Sequence, residues 1–167
     1  MLDITTIQST DSKEVKDSRF DISEVIRLAL LSLNGKIEGK QLDVKAELPE
    51  EPVMTRGNGD SITQVVYNLI DNAIKFSSAS GIINLELWKK GHKAYVSIEN
   101  SGETIPQNEL PNIFDRFHKT DKARSADREG VGLGLYIVKT ILDNHNEDIF
   151  VTSDNGLTKF IFTLTIA

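Results

Sequence analysis

The stretch at residues 60–77 constrains the fold most, because it has the pattern of a helix with two different faces. Apolar residues recur along it at steps of three and four, the spacing of one face of an α-helix. They are Ile62, Val65, Val66, Leu69, Ile70, Ala73 and Ile74. A continuous stripe of this kind predicts a helix that buries one side in a core. Ser61 and Gln64 have the spacing of a capping box, which predicts the start of the helix there.

The opposite face of this predicted helix is polar in an unusual way. Gln64, Asn68, Asp71, Asn72 and Lys75 recur at the same spacing, so their side chains are expected to point in a common direction. Asparagine inside a helix costs roughly half a kcal/mol relative to alanine. Two asparagines one turn apart therefore need an explanation. One is a solvated surface without function; the other is a site where amide oxygens coordinate a hard cation and the lysine meets an anion.

Composition limits the class of protein. A chain of 167 residues, 39% hydrophobic and 26% charged, is long enough for one globular domain with a core. Its net charge of −6 gives no indication of nucleic-acid or membrane contact. The absence of cysteine excludes disulfides and fits a cytoplasmic location. The apolar run at residues 28–31 is far shorter than the roughly 18 residues of a membrane span.

The order of predicted elements indicates the fold class. A polar segment at residues 1–19 shows no sustained period and is typical of a linker, so the domain is assigned to residues 20–167. Its first helix is capped by Asp21 or Ser23. Alternating strands, the central helix, a hairpin at residues 83–98, a third helix and a final hairpin follow. This order predicts an α+β fold, a two-layer α/β sandwich whose mixed, mostly antiparallel sheet is covered on one face by three helices.

A glycine-rich segment, GVGLGL at residues 130–135, precedes the third helix. Free N–H groups and the positive end of a helix dipole favour a phosphate at such a position. The segment matches neither the P-loop, which ends in Lys followed by Ser or Thr, nor the dinucleotide fingerprint, which follows a strand. A tight turn against the sheet is the simpler explanation of the glycines. On this segment alone both interpretations stay open.

A charged stretch at residues 119–129 lies just before the glycine-rich segment. Cations are locally in excess around it, with acidic residues interleaved; they are Arg116, Lys119, Lys122, Arg124 and Arg128. The pattern is typical either of a solvated loop or of a lid whose cations reach phosphate oxygens. The histidines of the chain lack the spacing of a metal site or a catalytic triad.

The order of four motifs is more specific than any one of them. A helix with the pattern Asn-x-x-x-Asn-Ala is followed by a strand ending in ENSGETIP, then by IFDRF, then by GVGLGLYIVK. This order resembles the ATP-binding catalytic domain of bacterial sensor histidine kinases, where the segments are the N box, first glycine box, F box and second glycine box. The resemblance runs from about Phe20 to the last residue. It implies a Bergerat-type (GHKL) α/β sandwich with ATP between the central helix and a mobile lid.

The resemblance assigns roles position by position. Asn72 would be the main magnesium ligand with Asn68 as its partner, and Lys75 would lie near the phosphates; Asn68 and Lys75 are the implied catalytic residues. Other implied nucleotide contacts are Asn100, Gly102 and Ile105 at adenine, His118 and Lys119 in the lid, and Gly130, Gly132, Leu133, Gly134 and Leu135 on the phosphate side. In related ATPases a glutamate that activates water occupies the place of Asn68. An amide cannot act as that base, which favours transfer to a partner over hydrolysis.

The resemblance also implies cofactors and partners. ATP and Mg²⁺ would be the cofactors, and the acceptor of the γ-phosphoryl group would be a histidine on the dimerisation domain of the same kinase. That phospho-acceptor segment is not in this sequence; residues 2–10 are the candidate end of the dimerisation helix. A response regulator would act downstream in a two-component system. The expected location is the cytoplasmic domain of a membrane-bound sensor, without nucleic-acid or membrane contact by this fragment.

Three positions depart from the family pattern. Asn100 stands where an aspartate accepts from the adenine amine, Thr104 stands at the second glycine of the first glycine box, and Asn146 and Glu147 replace glycines after the third helix. Two other functions therefore stay open. One is a degenerate nucleotide-binding regulatory module, for which Asn100 argues. The other is a serine kinase of the anti-sigma type, which shares the motifs but works without a dimerisation helix.

Overall fold

A computed structural model describes residues 18–115 and 134–167. The strands within these ranges are β1 (Ser18–Asp21), β2 (Asp43–Glu47), β3 (Met54–Gly57), β4 (Ile82–Lys90), β5 (Lys93–Ser101), β6 (Ile149–Asp154) and β7 (Leu157–Ile166). The helices are α1 (Ile22–Ser32), α2 (Asn34–Gly39), α3 (Gly59–Phe76) and α4 (Gly134–Asn144), with a short 3₁₀ turn at Leu110–Asn112.

The described strands form one mixed sheet in the order β1-β3-β7-β5-β4-β2, and β6 pairs with β7. The pairing of β2 with β4 is parallel, whereas the remaining pairs in these ranges are antiparallel. Strand β7 has three partners: it pairs along its length with β5, and on its other side with β3 and β6. The predicted mixed, mostly antiparallel sheet is confirmed.

The core lies between this sheet and the helices. All seven apolar residues of the predicted stripe on α3 are buried, so the inward face of the central helix is confirmed. They meet the alternate residues of β4, β5 and β7 that point the same way, of which Ile83, Leu85, Val96, Phe160 and Phe162 are almost fully buried. Burial of each large aliphatic or aromatic side chain contributes roughly 1.5–3 kcal/mol of transfer free energy. Helix α3 also packs against α1 and α4, which gives the two-layer α+β architecture.

Two helix starts show how local chemistry sets the ends. Asp21 is the N-cap of α1, as one of the two predicted residues, and its Oδ1 accepts from the N–H groups of Ser23 and Val53 at 3.0 Å each. The capping box predicted at Ser61 and Gln64 is wrong. The N-cap of α3 is Asn58, whose Oδ1 accepts from Ser61 N at 3.1 Å, so the helix begins earlier, at Gly59. An asparagine satisfies the first turn here because its amide oxygen reaches the same N–H groups that a serine would.

Two elements were not predicted. Strand β1 pairs with β3 over four residues, and the linker predicted for residues 1–19 overlaps it at Ser18 and Arg19. The short helix α2 follows α1 with only Leu33 between them, where no second helix was predicted. Both are too short to show a sequence period, and β1 depends on a partner more than 30 positions away. Within the described ranges, no helix has the length and hydropathy that crossing a membrane requires.

The glycine positions after α4 are used for structure. Asn146 has a φ of 57°, the left-handed conformation that a glycine usually supplies at the end of a helix. The carboxylate of Glu147 is buried and accepts from Lys93 Nζ at 2.7 Å, Thr163 Oγ1 at 2.7 Å and Thr165 Oγ1 at 2.8 Å. These residues follow the C-terminal end of α4, about 15 Å from its first residue Gly134 at 1.5 Å per residue. Their departure from the family pattern is therefore remote from the predicted phosphate side.

Candidate functional site

The C-terminal end of α3 is joined to the end of β5 by main-chain contacts. Ser77 and Gly102 form an isolated antiparallel bridge, and Ser78 N donates to Ser101 O at 3.2 Å. A Cβ built at Gly102 would collide with the carbonyl oxygen of Phe76, the last residue of α3. Only glycine allows this approach without displacing the main chain. The helix that carries both asparagines and the first glycine box are therefore held side by side.

Asn68 connects the central helix to the start of α4. Its Oδ1 accepts from Gln64 Nε2 at 2.7 Å, and its Nδ2 donates to Gly134 O at 3.3 Å. Both bonds orient the amide, since the oxygen and nitrogen each have a defined partner. The structure thus brings Asn68 next to Gly134, the third glycine of the second glycine box. A Cβ built at Gly134 meets no atom of the described chain within 4 Å, and the neighbouring Leu135 packs against the core.

Asn72 lies one turn further along α3 and differs from Asn68. Its side chain is half-buried, and among the described residues no hydrogen-bond partner is found for its amide. Asp71 does not join this group as predicted, because its carboxylate pairs with Lys36 Nζ of α2 at 2.9 Å. The hydrogen bond to Asp71 and its charge raise the pKa of Lys36. Asp71 therefore fixes α2 to α3.

Lysine side chains flank the last turn of α3. Lys75 is exposed, three residues after Asn72. Lys40 Nζ donates to the carbonyl oxygens of Ile74 at 2.8 Å and Lys75 at 2.9 Å, which caps the helix from outside. Burial lowers the pKa of Lys40. A cation at the C-terminal end of a helix is favoured by the helix dipole, so Lys40 stabilises the turn that presents Lys75.

Asn100 is buried at the end of β5, with 5% of its surface exposed. Its Nδ2 donates to Ser101 O at 3.2 Å. The donor side of the amide is therefore used within the protein, and the acceptor Oδ1 is the part of the group that suits the amine of a base. This is the role that the resemblance implies for Asn100.

The loop after Asn100 is attached to the turn of the final hairpin. Gly102 N donates to Gly156 O at 2.8 Å, and Gly156 N donates to Thr104 Oγ1 at 2.8 Å. Ile105 N donates to Ser153 Oγ at 2.7 Å. Neither Thr104 nor Ser153 was predicted as a site residue. The signal available for Thr104 was its departure from a glycine position, but its partner is more than 50 residues away in the chain.

Five predicted nucleotide contacts lie outside the described residues, together with the predicted lid at residues 119–129. They are His118, Lys119, Gly130, Gly132 and Leu133. The described part of the predicted site comprises Asn68, Asn72, Lys75, Asn100, Gly102, Ile105, Gly134 and Leu135. A side-chain bond joins Asn68 to Gly134 at the start of α4, and a main-chain bridge joins the end of α3 to Gly102.

The donor chemistry of the site fits a magnesium ion that arrives with a polyphosphate. The described residues contain no cluster of three or more His, Asp or Glu that could hold a metal. The amide oxygens of Asn68 and Asn72 are hard donors, but two of them do not complete the octahedron of Mg²⁺, which commonly takes its other oxygens from phosphates and water. The acceptor Oδ1 of Asn100 fits the amine of a base.

A cavity of about 200 Å³ lies elsewhere, on the sheet face turned away from the helices. It contains none of the predicted site residues and is lined by Lys45, Glu47, Asn84, Leu85, Glu86 and Glu99. Its acidic lining would repel a nucleoside triphosphate. The candidate site is therefore the region between α3, the first glycine box and the start of α4.

The chain is similar in sequence to known proteins. Residues 57–167, more than half of the chain, match the family model described as histidine kinase-, DNA gyrase B-, and HSP90-like ATPase. The chain is 32% identical to the sensor histidine kinase WalK of Bacillus subtilis, over 97% of this chain and 27% of WalK. It therefore spans well under half the length of this curated relative.

Solved structures are similar over most of the chain. The catalytic domain of histidine kinase ThkA has a TM-score of 0.80 and 29% identity, with 90% of this chain and 96% of that chain covered. A structure of ThkA in complex with the response regulator TrrA has a TM-score of 0.77 and 27% identity, with 98% of this chain and 47% of that chain covered.

Proposed function

Since this chain belongs to the family of histidine kinase-, DNA gyrase B- and HSP90-like ATPases and corresponds to the catalytic domain of sensor histidine kinases, we propose that it binds Mg-ATP and passes the γ-phosphoryl group to a histidine on a dimerisation domain. The observation that carries this proposal is the main-chain link between α3 and the first glycine box at Ser77 and Gly102. It holds the helix that carries Asn68 and Asn72 beside the loop that follows Asn100.

The proposed roles divide the site into two ends. Asn72, with Asn68 as its partner, holds the metal, and Lys75 meets the phosphates. At the other end, Asn100 accepts from the adenine amine while Gly102 and Ile105 border the ring. Gly134 and Leu135, at the start of α4, line the phosphate side, where the N-terminal end of a helix favours an anion.

The chemistry of Asn68 favours transfer over hydrolysis. The bound Mg-ATP supplies the phosphoryl group and the charge that neutralises it. An amide has no basic lone pair that could take a proton from water, and both ends of this amide are engaged by Gln64 and Gly134. Asn68 therefore helps to hold the metal but does not activate water. The nucleophile has to come from a partner domain.

The relatives support this function over the two alternatives. WalK and ThkA are named as histidine kinases, which favours phosphoryl transfer to histidine over a serine kinase of the anti-sigma type or a regulatory module. The ThkA–TrrA complex supports a response regulator as the downstream partner of the parent protein. A cytoplasmic location follows from that role, because the phosphoryl group reaches a response regulator inside the cell.

Incubation with ATP labelled at the γ-phosphoryl group tests the proposed function. The chain alone is expected to show neither self-labelling, because the proposed acceptor histidine is on a dimerisation domain, nor steady phosphate release, because Asn68 cannot activate water. With the separately produced dimerisation domain of WalK added, label is expected on the acceptor histidine. The catalytic domain of WalK serves as the positive control for that acceptor. Label on His92, His118 or His145, steady phosphate release, or an unlabelled acceptor that the WalK domain does label would contradict the proposal.

Replacing Asn100 by aspartate is expected to raise ATP affinity by less than tenfold and to lower the thermal stability of the nucleotide-free chain. A charged acceptor strengthens the bond to the adenine amine by about 1 kcal/mol. The carboxylate, however, loses the donation to Ser101 O and faces that oxygen instead. Calorimetric titration with ATP and GTP is the measurement. Asn100→Ala is the control that removes the acceptor and should weaken ATP more than GTP; equal changes for both nucleotides would move base recognition away from Asn100.

A further inference from the structure

Thr104 stands where the first glycine box of the family has a glycine, and its hydroxyl oxygen accepts from Gly156 N at 2.8 Å. We propose that Thr104 is a positioning residue that fixes the adenine-side loop to the turn of the β6–β7 hairpin, so that nucleotide affinity depends on a turn more than 50 residues away. This inference rests on the proposed function, because it concerns the same nucleotide site.

The hairpin turn offers a donor at the right place. Asp154 and Leu157 close the β6–β7 ladder, with Asn155 and Gly156 as the two residues of the turn. Their φ values of 52° and 77° are both left-handed, as in a type I′ turn. The N–H of the second turn residue is not needed for the ladder. The N–H of Gly156 can therefore donate to a group from another segment, and Thr104 Oγ1 is the acceptor.

The Thr104 bond is one of several that fasten the loop to the hairpin; Gln107 Nε2, for example, donates to Ser153 O at 2.9 Å. On one side of Thr104, Gly102 N donates to Gly156 O at 2.8 Å, so Gly156 both accepts from and donates to the loop. On the other side, Ile105 N donates to Ser153 Oγ, which is itself paired with Thr158 Oγ1 at 2.8 Å inside the protein. The loop is thus attached to the β6–β7 hairpin at Gly102, Thr104 and Ile105.

The residue type at position 104 matters because glycine and threonine differ in the freedom that they leave to the main chain of the loop. A glycine leaves the main chain free to choose its conformation when ligand arrives, at a larger entropy loss. Thr104 restricts that freedom and adds a bond, so the loop between Gly102 and Ile105 is arranged before the nucleotide binds. Arranging a loop in advance improves affinity by lowering the ordering cost of binding.

The matched variants Thr104→Val and Thr104→Ser test this role. Valine keeps the shape but has no acceptor, and we expect it to weaken ATP binding about three- to tenfold, the equivalent of one neutral hydrogen bond. Serine keeps the hydroxyl and should restore parental affinity within about twofold, since the same bond can form. Thr152→Val, an exposed threonine of β6 that lies on the outer part of the hairpin, is the control for the substitution itself.

Two measurements separate positioning from general stability. Calorimetry gives the ATP affinity, and amide hydrogen exchange by NMR reports the protection of Gly156 N–H, which should fall in Thr104→Val and persist in Thr104→Ser. Equal ATP affinity of the parent and Thr104→Val, or a serine variant as weak as the valine variant, would overturn the inference alone. A parent chain that binds no ATP would instead overturn the proposed function and with it the nucleotide role of Thr104.

Discussion

Replacement of Gly102 by alanine is expected to abolish measurable nucleotide binding and to lower the free energy of unfolding by about 2–3 kcal/mol. The added methyl group would collide with the carbonyl oxygen of Phe76, a main-chain atom that cannot rotate away. Relief requires moving either the end of α3 or the loop. Either movement breaks the bridge between Ser77 and Gly102 and separates the two ends of the proposed site.

Denaturant unfolding and calorimetric ATP titration measure the two parts of this result. Gly35→Ala is the matched control, because a Cβ at Gly35 on helix α2 meets no atom within 4 Å. That substitution should leave ATP binding unchanged and stabilise the protein by about 0.4–1 kcal/mol, since alanine favours a helix. A Gly102→Ala variant that kept parental stability and affinity would show that the close contact with Phe76 is not needed for the site.

Replacement of Asn72 by alanine is expected to weaken Mg-ATP binding on the order of 100-fold, about 2.7 kcal/mol, while leaving the fold intact. Asn72 makes no hydrogen bond to the described residues, so truncation removes a proposed metal ligand and none of the hydrogen bonds within the described ranges. Alanine is the better helix former by roughly half a kcal/mol, so the free energy of unfolding should rise slightly. Few substitutions at a proposed site are expected to raise the free energy of unfolding and to lower the affinity for the ligand at the same time.

Asn68→Ala is the informative comparison for Asn72. It removes the bonds to Gln64 and to Gly134 O, so it should lower stability as well as Mg-ATP affinity. Thr63→Ala, at an exposed position of the same helix, should leave binding unchanged. Calorimetry with and without Mg²⁺ checks all three variants. Retention of parental Mg-ATP affinity by Asn72→Ala would show that the metal ligand is wrongly assigned.

The sequence predicted best what depends on local periodicity. The seven buried residues of α3 follow from spacing alone, because a helix repeats its environment every three to four residues. The spacing on the opposite face also predicted the positions of Asn68 and Asn72. It was wrong in grouping Asp71 with them. The spacing says only that Asp71 is on that side of the helix; its pairing depends on Lys36, which is 35 positions away.

Contacts between distant segments explain the other errors. Strand β1 exists because β3 offers an antiparallel partner, and four residues carry too few alternations to reveal it. The capping residue of α3 was missed because both Asn58 and Ser61 are good caps, and the choice also involves His145 Nε2, which accepts from Asn58 N at 3.1 Å. The support of Thr104 by Gly156 likewise joins residues that no local rule connects.

The central position of β7 has a consequence for the order in which this domain forms during synthesis. Strand β7 comes after the other described strands in the chain, yet it joins β1 and β3 on one side to β5, β4 and β2 on the other. Without β7, the other described strands can form only two separate pieces of sheet, β1-β3 and β5-β4-β2, each with an unpaired inner edge, and β6 lacks its partner. Such edges are templates for pairing with other chains. The nascent domain therefore depends on β7 to become a single sheet, and a chaperone that shields strand edges would act before β7 is synthesised.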